Sequence, residues 1–114
     1  MIVDDEPLAR DGLRILLSEH PDVQLVAEAG NGREALALVE RVRPDLLLVD
    51  VQMPGMTGLE LAAALPAGCT PTIVFVTAHE DFALQAFDVH ALDYILKPID
   101  DARFAQALRR ARLQ

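Results

Sequence analysis

Three aspartates, a threonine and a lysine stand where apolar runs end. Asp4 and Asp5 follow Met1–Val3, Asp50 closes LLLVD, Thr77 follows TIVFV, and Lys97 follows Leu92–Leu96. Carboxylates gathered in one place repel one another, and at least one pKa rises. A divalent cation relieves that repulsion. An all-oxygen donor set, with no Cys or His adjacent in sequence, favours Mg²⁺, or Mn²⁺ in its place. One carboxylate then stays free to attack. A cation that also binds phosphoryl oxygens is the usual setting for phosphoryl transfer. A lysine charge and a threonine hydroxyl suit the remaining oxygens of the moving group. Asp50, delivered to a strand tip before the turn Gln52–Gly55, is the best-placed nucleophile, forming an aspartyl phosphate.

Each residue alone has an ordinary role. Asp4 and Asp5 can open a helix. Asp50 can cap a turn, Thr77 can cap a helix, and Lys97 can be a surface lysine. Glu6 reads as the capping and dipole residue of the first helix. His20, His79 and His90 are isolated and read as surface or partly buried. Met53 and Met56 read as loop packing. The chemistry rests on the coincidence of the set at successive strand ends.

The elements that must position them alternate. Met1–Val3 is a strand stub. Pro7–His20 is a helix with Pro7 in its first turn and Leu8, Gly12, Ile15 and Leu16 along one face. Gln24–Ala29 is a second strand. Asn31–Glu34 reads as a capping box opening a helix that turns Ala35, Leu36, Val39 and Val42 inward and stops at Pro44. Asp45–Val49 is an apolar strand, and Leu59–Leu65 a helix. Thr72–Val76 is a strand, Glu80–Val89 a helix, Leu92–Leu96 a strand. Asp100 opens a last helix with Phe104, Leu108 and Ala111 on one side. Near-continuous apolar strands alternating with helices indicate an α/β fold, a parallel sheet covered on both faces. Right-handed crossovers make it doubly wound. Precedent for five strands gives the flavodoxin-like order 2-1-3-4-5. Ligands of such sheets bind beyond the carboxyl ends of the strands, where the named residues lie. The second strand offers only Ala29–Asn31 there, without charge.

The chain has 114 residues, 52% of them hydrophobic, enough for one domain with a core. Its net charge of −8 disfavours direct binding of nucleic acid. No apolar run reaches the roughly 18 residues that span a bilayer, and no signal-peptide layout is visible. The single cysteine, Cys69, excludes an internal disulfide and suits a reducing, cytoplasmic setting. Arg103, Arg109, Arg110 and Arg112 crowd the C-terminal end, as helix-dipole charge or as part of a protein interface. The short first strand and the uncapped last helix suggest a piece of something longer.

VDDEP (Val3–Pro7), LLLVDVQMPGMTGLEL (Leu46–Leu61), VFVTAHEDFALQAF (Val74–Phe87) and DYILKPI (Asp93–Ile99) together resemble the receiver domain of bacterial two-component response regulators. The resemblance covers nearly the whole chain, residues 1–114, and is nearest to receivers that precede a LytTR-type DNA-binding domain. It implies that Asp50 accepts a phosphoryl group from a sensor histidine kinase. Mg²⁺ would be bound directly by Asp5, with Asp4 acting through water or as a second acid, by Asp50, and by the main-chain carbonyl of Gln52. Lys97 would pair with the Asp50 carboxylate or its phosphate. Thr77 would swing to the phosphoryl oxygens beside the small Ala78, and Tyr94 would turn inward as the switch aromatic. Lys97–Pro98 would be a cis peptide. The face of the fourth helix, fifth strand and fifth helix would change. On that face, Glu80, Asp81 and Asp88 would lie beside the arginines of the last helix, and a phosphorylation-favoured homodimer would form. An effector domain beyond Gln114 would act on transcription. No membrane contact is implied. The clipped first strand puts the placement of Asp4 and Asp5 in question.

Two other readings compete. A haloacid-dehalogenase-like phosphatase also uses an aspartyl phosphate, Mg²⁺, a Thr or Ser and a Lys. Its nucleophile follows the first strand in a DxD arrangement, whereas here the best nucleophile follows the third. A degenerate receiver would lack site residues, and none is missing. A P-loop enzyme is excluded because no GxxxxGK[ST] occurs.

Overall fold

The computed structural model describes residues 1–114. Five strands and five helices alternate: β1 (Ile2–Val3), α1 (Pro7–Ser18), β2 (Glu28–Ala29), α2 (Gly32–Val42), β3 (Leu46–Val49), α3 (Gly58–Ala63), β4 (Thr72–Thr77), α4 (Ala83–Asp88), β5 (Asp93–Leu96) and α5 (Asp101–Arg112). All four pairings are parallel, in the order β2-β1-β3-β4-β5. This is the expected doubly wound, flavodoxin-like sheet.

Side chains of a strand alternate between faces, and that alternation builds two cores. Val3, Leu47, Val49 and Phe75 point to the face covered by Ala35 and Val39 of α2, Leu61 of α3 and Ala86 of α4. Ile2, Leu48, Val74, Val76 and Ile95 point to the other face, under Leu13 and Leu17 of α1 and Phe104, Ala107 and Leu108 of α5. Phe75 and Phe104 are fully buried, one on each side. Each burial of that size contributes about 1.5–3 kcal/mol. β1 has only two residues, yet both are completely covered and pair with β2 on one side and β3 on the other. The stub is a central strand, so its shortness does not displace the acids that follow it.

The caps follow the side-chain chemistry, with corrections. Thr57 and Glu60 form a reciprocal capping box at α3. Asn31 accepts from the Glu34 N–H at α2, half of the expected box, and Arg43 in the left-handed region ends that helix. Glu6 precedes α1 but makes no side-chain cap. The Glu6 N–H is instead taken by Asp4 Oδ1, at 3.0 Å. The inward face of α1 also differs from the expected one. Leu13 and Leu17 are buried, whereas Leu8 is 82% and Ile15 67% exposed. Ladder pairing in β2 is confined to Glu28 and Ala29, and α3 and α4 are single short helices of six residues each.

Candidate functional site

The β1–β3 and β4–β5 registers bring the strand ends together. The Asp50 N–H donates to the Val3 carbonyl at 3.0 Å, which ties the end of β3 to the residue before Asp4. Thr77 is opposite Leu96, and the Lys97 N–H donates to the Thr77 carbonyl at 2.9 Å. The lysine therefore leaves β5 beside Thr77 and reaches back across the crevice. Its Nζ lies 2.9 Å from Asp4 Oδ2 and 3.4 Å from Asp50 Oδ2. The Lys97–Pro98 peptide is cis, as the resemblance implied.

Asp4 is 1% and Asp50 7% exposed. Each carboxylate is held on both oxygens. Asp4 accepts from Glu6 N–H and Lys97, and Asp50 accepts from Gln52 N–H (3.1 Å) and Lys97. Asp5 is half-buried, and no donor reaches its carboxylate. Carboxylate oxygens of Asp4, Asp5 and Asp50 all lie within 4.8 Å of one another. Burial pushes the Lys97 ammonium down. The hydrogen bond to Asp4 and the charges of Asp50 and Asp4 outweigh that, and its pKa stands above the ordinary lysine value. Three acids facing one ammonium leave net negative charge in the crevice. Their oxygens are the hard donors that suit a divalent cation such as Mg²⁺.

Two backbone features shape the floor of the crevice. Gly58 opens α3 directly against Asp50: a Cβ there would meet the Asp50 carbonyl oxygen at 2.3 Å. The Gly58 N–H donates to the Val51 carbonyl at 2.8 Å, fixing the turn that follows Asp50. On the other side, Arg10 Nη1 donates to the Asp4 carbonyl at 2.6 Å.

Thr77 is fully buried, and its Oγ1 accepts from the His79 N–H at 3.3 Å. It makes no hydrogen bond to the acids. The Tyr94 hydroxyl donates to the His79 carbonyl, and its ring packs on Phe75 at 6.2 Å between centroids. One peptide segment thus answers to both expected switch residues. Gln52 is exposed, and its backbone N–H is bonded to Asp50. The arginines of α5 form no ion pair with Glu80, Asp81 or Asp88. Arg103 and Arg110 pair with Asp93, and Arg112 with Asp22. A wide cavity of about 1050 Å³ lies at the opposite end of the sheet, lined by Arg43, Cys69 and His90 among others, far from this chemistry.

Sequence reasoning missed Gly58, Arg10 and the His79 link. Gly58 carried the weak signal of a glycine just inside a helix start. Arg10 and His79 carried none, because Arg10 reaches a main-chain carbonyl and His79 takes part through its own N–H and carbonyl.

The profile of the family described as response regulator receiver domain matches residues 1–109. The transcriptional regulatory protein BtsR of Shigella flexneri is 49% identical over 98% of this chain, which covers 47% of that protein. A response regulatory protein of Shewanella oneidensis is 46% identical over 98% of the chain and 48% of its own length. The chain therefore spans about half the length of these curated relatives. Among solved structures, the response regulatory domain of mrkE from Klebsiella pneumoniae superposes with a TM-score of 0.89 at 32% identity, covering 98% of this chain and 93% of that one. The chemotaxis protein CheY4 of Vibrio cholerae does so with a TM-score of 0.83 at 28% identity, covering 96% and 94%.

Proposed function

Because this chain belongs to the response regulator receiver domain family, we propose that it is a phosphorylation-dependent signalling switch whose acceptor is Asp50. A sensor histidine kinase is the donor. An Asp50 oxygen attacks phosphorus, the P–N bond to the kinase imidazole breaks, and the imidazole leaves with the bonding pair and takes a proton. The observation that carries this reading is the position of the Lys97 ammonium between Asp4 and Asp50, with Asp5 close by.

Asp4, Asp5, Asp50 and the Gln52 carbonyl would hold Mg²⁺, which when bound supplies charge neutralisation for the phosphoryl oxygens. Lys97 balances the charge of the acceptor before transfer and of the phosphate after it. Thr77 gives up the His79 N–H and turns its hydroxyl to a phosphoryl oxygen. Tyr94, bonded to the same residue, then repacks with it, and the α4–β5–α5 face changes. Leu84 and Phe87, 79% and 75% exposed, give that face an apolar patch on which an activated homodimer can form.

The chain would be the N-terminal receiver part of a longer cytoplasmic response regulator. Its effector domain would bind DNA and control transcription, in keeping with the names and lengths of its relatives. No helix is long and apolar enough to cross a membrane. The phosphatase alternative has no support in the family matches, and the acids after the first strand, Asp4 and Asp5, are adjacent and not in its DxD arrangement.

The test is labelling by acetyl phosphate with Mg²⁺. Wild type takes up alkali- and hydroxylamine-labile phosphate on Asp50, and Asp50→Asn takes up none. Equal labelling of the two proteins, or no labelling of wild type, overturns the reading. Turnover of a small phosphomonoester would return the phosphatase.

A further inference from the structure

Asp5 is the one acid of the crevice whose carboxylate no donor holds, so its direction depends on the backbone that carries it. That backbone is the Asp4–Asp5 peptide. Its upstream neighbour is fixed by the ladder bond from the Asp4 N–H to the Ala29 carbonyl, 3.1 Å. The plane of the peptide itself is held at its carbonyl oxygen by Arg10 Nη1, at 2.6 Å. Arg10 Nε lies 3.6 Å from Glu28 Oε1, and a Cβ placed on Gly30 would come into ordinary contact with Nη1, at 3.5 Å. The guanidinium thus connects α1, the start of the β1–α1 loop and the end of β2. Arg10 is three-quarters buried and bonded to an atom that cannot titrate or rotate away.

We infer that Arg10 is a positioning residue for the cation site: it fixes the Asp4–Asp5 peptide so that the Asp5 carboxylate faces Asp4 and Asp50. The inference rests on the reading of these acids as the Mg²⁺ site. Groups behind metal ligands that fix their orientation commonly alter affinity by roughly 10–100-fold when removed. The electrostatic effect of Arg10 has the opposite sign. A fixed positive charge beside a divalent cation weakens binding, and Glu28 offsets it. The two roles therefore make opposing forecasts for a variant without the charge.

The test is calorimetric titration of the protein with Mg²⁺, alongside thermal midpoints in EDTA. Arg10→Met is expected to weaken Mg²⁺ affinity roughly ten-fold although it removes a repelling charge. Arg10→Lys, which can still reach a carbonyl through one donor, recovers part of the loss. Arg14→Met removes the other arginine partner of Glu28, which lies 3.1 Å from it, and leaves affinity near wild type. Unchanged or tighter binding by Arg10→Met, while wild type binds Mg²⁺ in a manner lost in Asp5→Asn, overturns this inference and leaves the cation site standing. An equal loss in Arg14→Met also overturns it. Wild-type binding indifferent to Asp5→Asn overturns both. If Arg10→Met fails to fold, Arg10→Lys carries the test: affinity equal to wild type counts against positioning by the guanidinium.

Discussion

The Lys97 ammonium lies nearer to Asp4 than to Asp50, 2.9 Å against 3.4 Å. The residue expected to serve the acceptor is therefore shared with an acid at the far end of the chain. With Asp4 almost wholly covered, Lys97 also balances a buried charge. A buried carboxylate stripped of its partner is costly.

Lys97→Met should therefore lower stability in EDTA, by about 2 kcal/mol once the partial exposure of the lysine is allowed for. The same variant should gain more stability from Mg²⁺ than wild type does, because the cation then also replaces the missing ammonium. Urea melts with and without Mg²⁺ measure both. An equal Mg²⁺ increment in the two proteins would separate Lys97 from the acids.

Gly58 shows how closely the backbone is packed at the acceptor. Gly58→Ala puts a Cβ on the Asp50 carbonyl, and α3 must shift away. Overpacking of this kind costs about 1–3 kcal/mol. Labelling of Asp50 by acetyl phosphate should slow as well, because the turn after Asp50 moves while every site residue is retained. Wild-type stability and labelling together in Gly58→Ala would contradict the geometry.

Much of this arrangement is legible in the sequence. Apolar strands that end in charge are read directly, since a parallel sheet places all its carboxyl ends on one edge. The face of α1 is not. Leu8, Ile15 and Leu16 compete with Leu13 and Leu17 around one helix, and periodicity allows either stripe. Packing on Ile2 and Leu48 selects Leu13 and Leu17 and leaves Leu8 and Ile15 in solvent. The partners of the α5 arginines are hidden for a similar reason. Asp93 becomes the partner of Arg103 and Arg110 only when β5 and α5 lie side by side. Arg10, Gly58 and His79 act through main-chain atoms, which every sequence possesses and none advertises.

Asp93 gives a pH dependence of defined sign. Burial pushes its carboxyl up, but hydrogen bonds from Arg103 and the Tyr94 N–H, with the charges of Arg103 and Arg110, bring it below the ordinary carboxylate value. A carboxyl depressed in the folded state contributes stability above its unfolded pKa, about 3.9, and that contribution is lost as pH falls through the folded value. Asp93→Asn should be less stable than wild type at neutral pH. The difference should shrink below about pH 4. Parallel stability curves from pH 7 down through that window would remove Asp93 from the account.

His79 joins Thr77 to Tyr94, so the link can be cut from the aromatic side. Tyr94→Phe keeps the ring against Phe75 and removes only the bond to the His79 carbonyl. The bond is solvent-facing, and its loss should cost about 1 kcal/mol or less. Local motion should respond more strongly: amide exchange over His79–Phe82 should accelerate while that of β4 stays unchanged. Exchange protection in that loop identical to wild type would show that Tyr94 does not restrain it.

The exposed apolar patch of α4 sets the last test. Leu84 and Phe87 project from a six-residue helix into solvent, at a cost the domain would otherwise avoid. If they are the contact of an activated homodimer, beryllofluoride with Mg²⁺ should shift wild type toward dimer in sedimentation velocity. Phe87→Glu should stay monomeric and still be labelled by acetyl phosphate, because Phe87 touches none of the acids. That pairing separates the surface from the site. A wild type that remains monomeric at high concentration when loaded with beryllofluoride, or a Phe87→Glu that dimerises as well as wild type, would assign the patch to another partner.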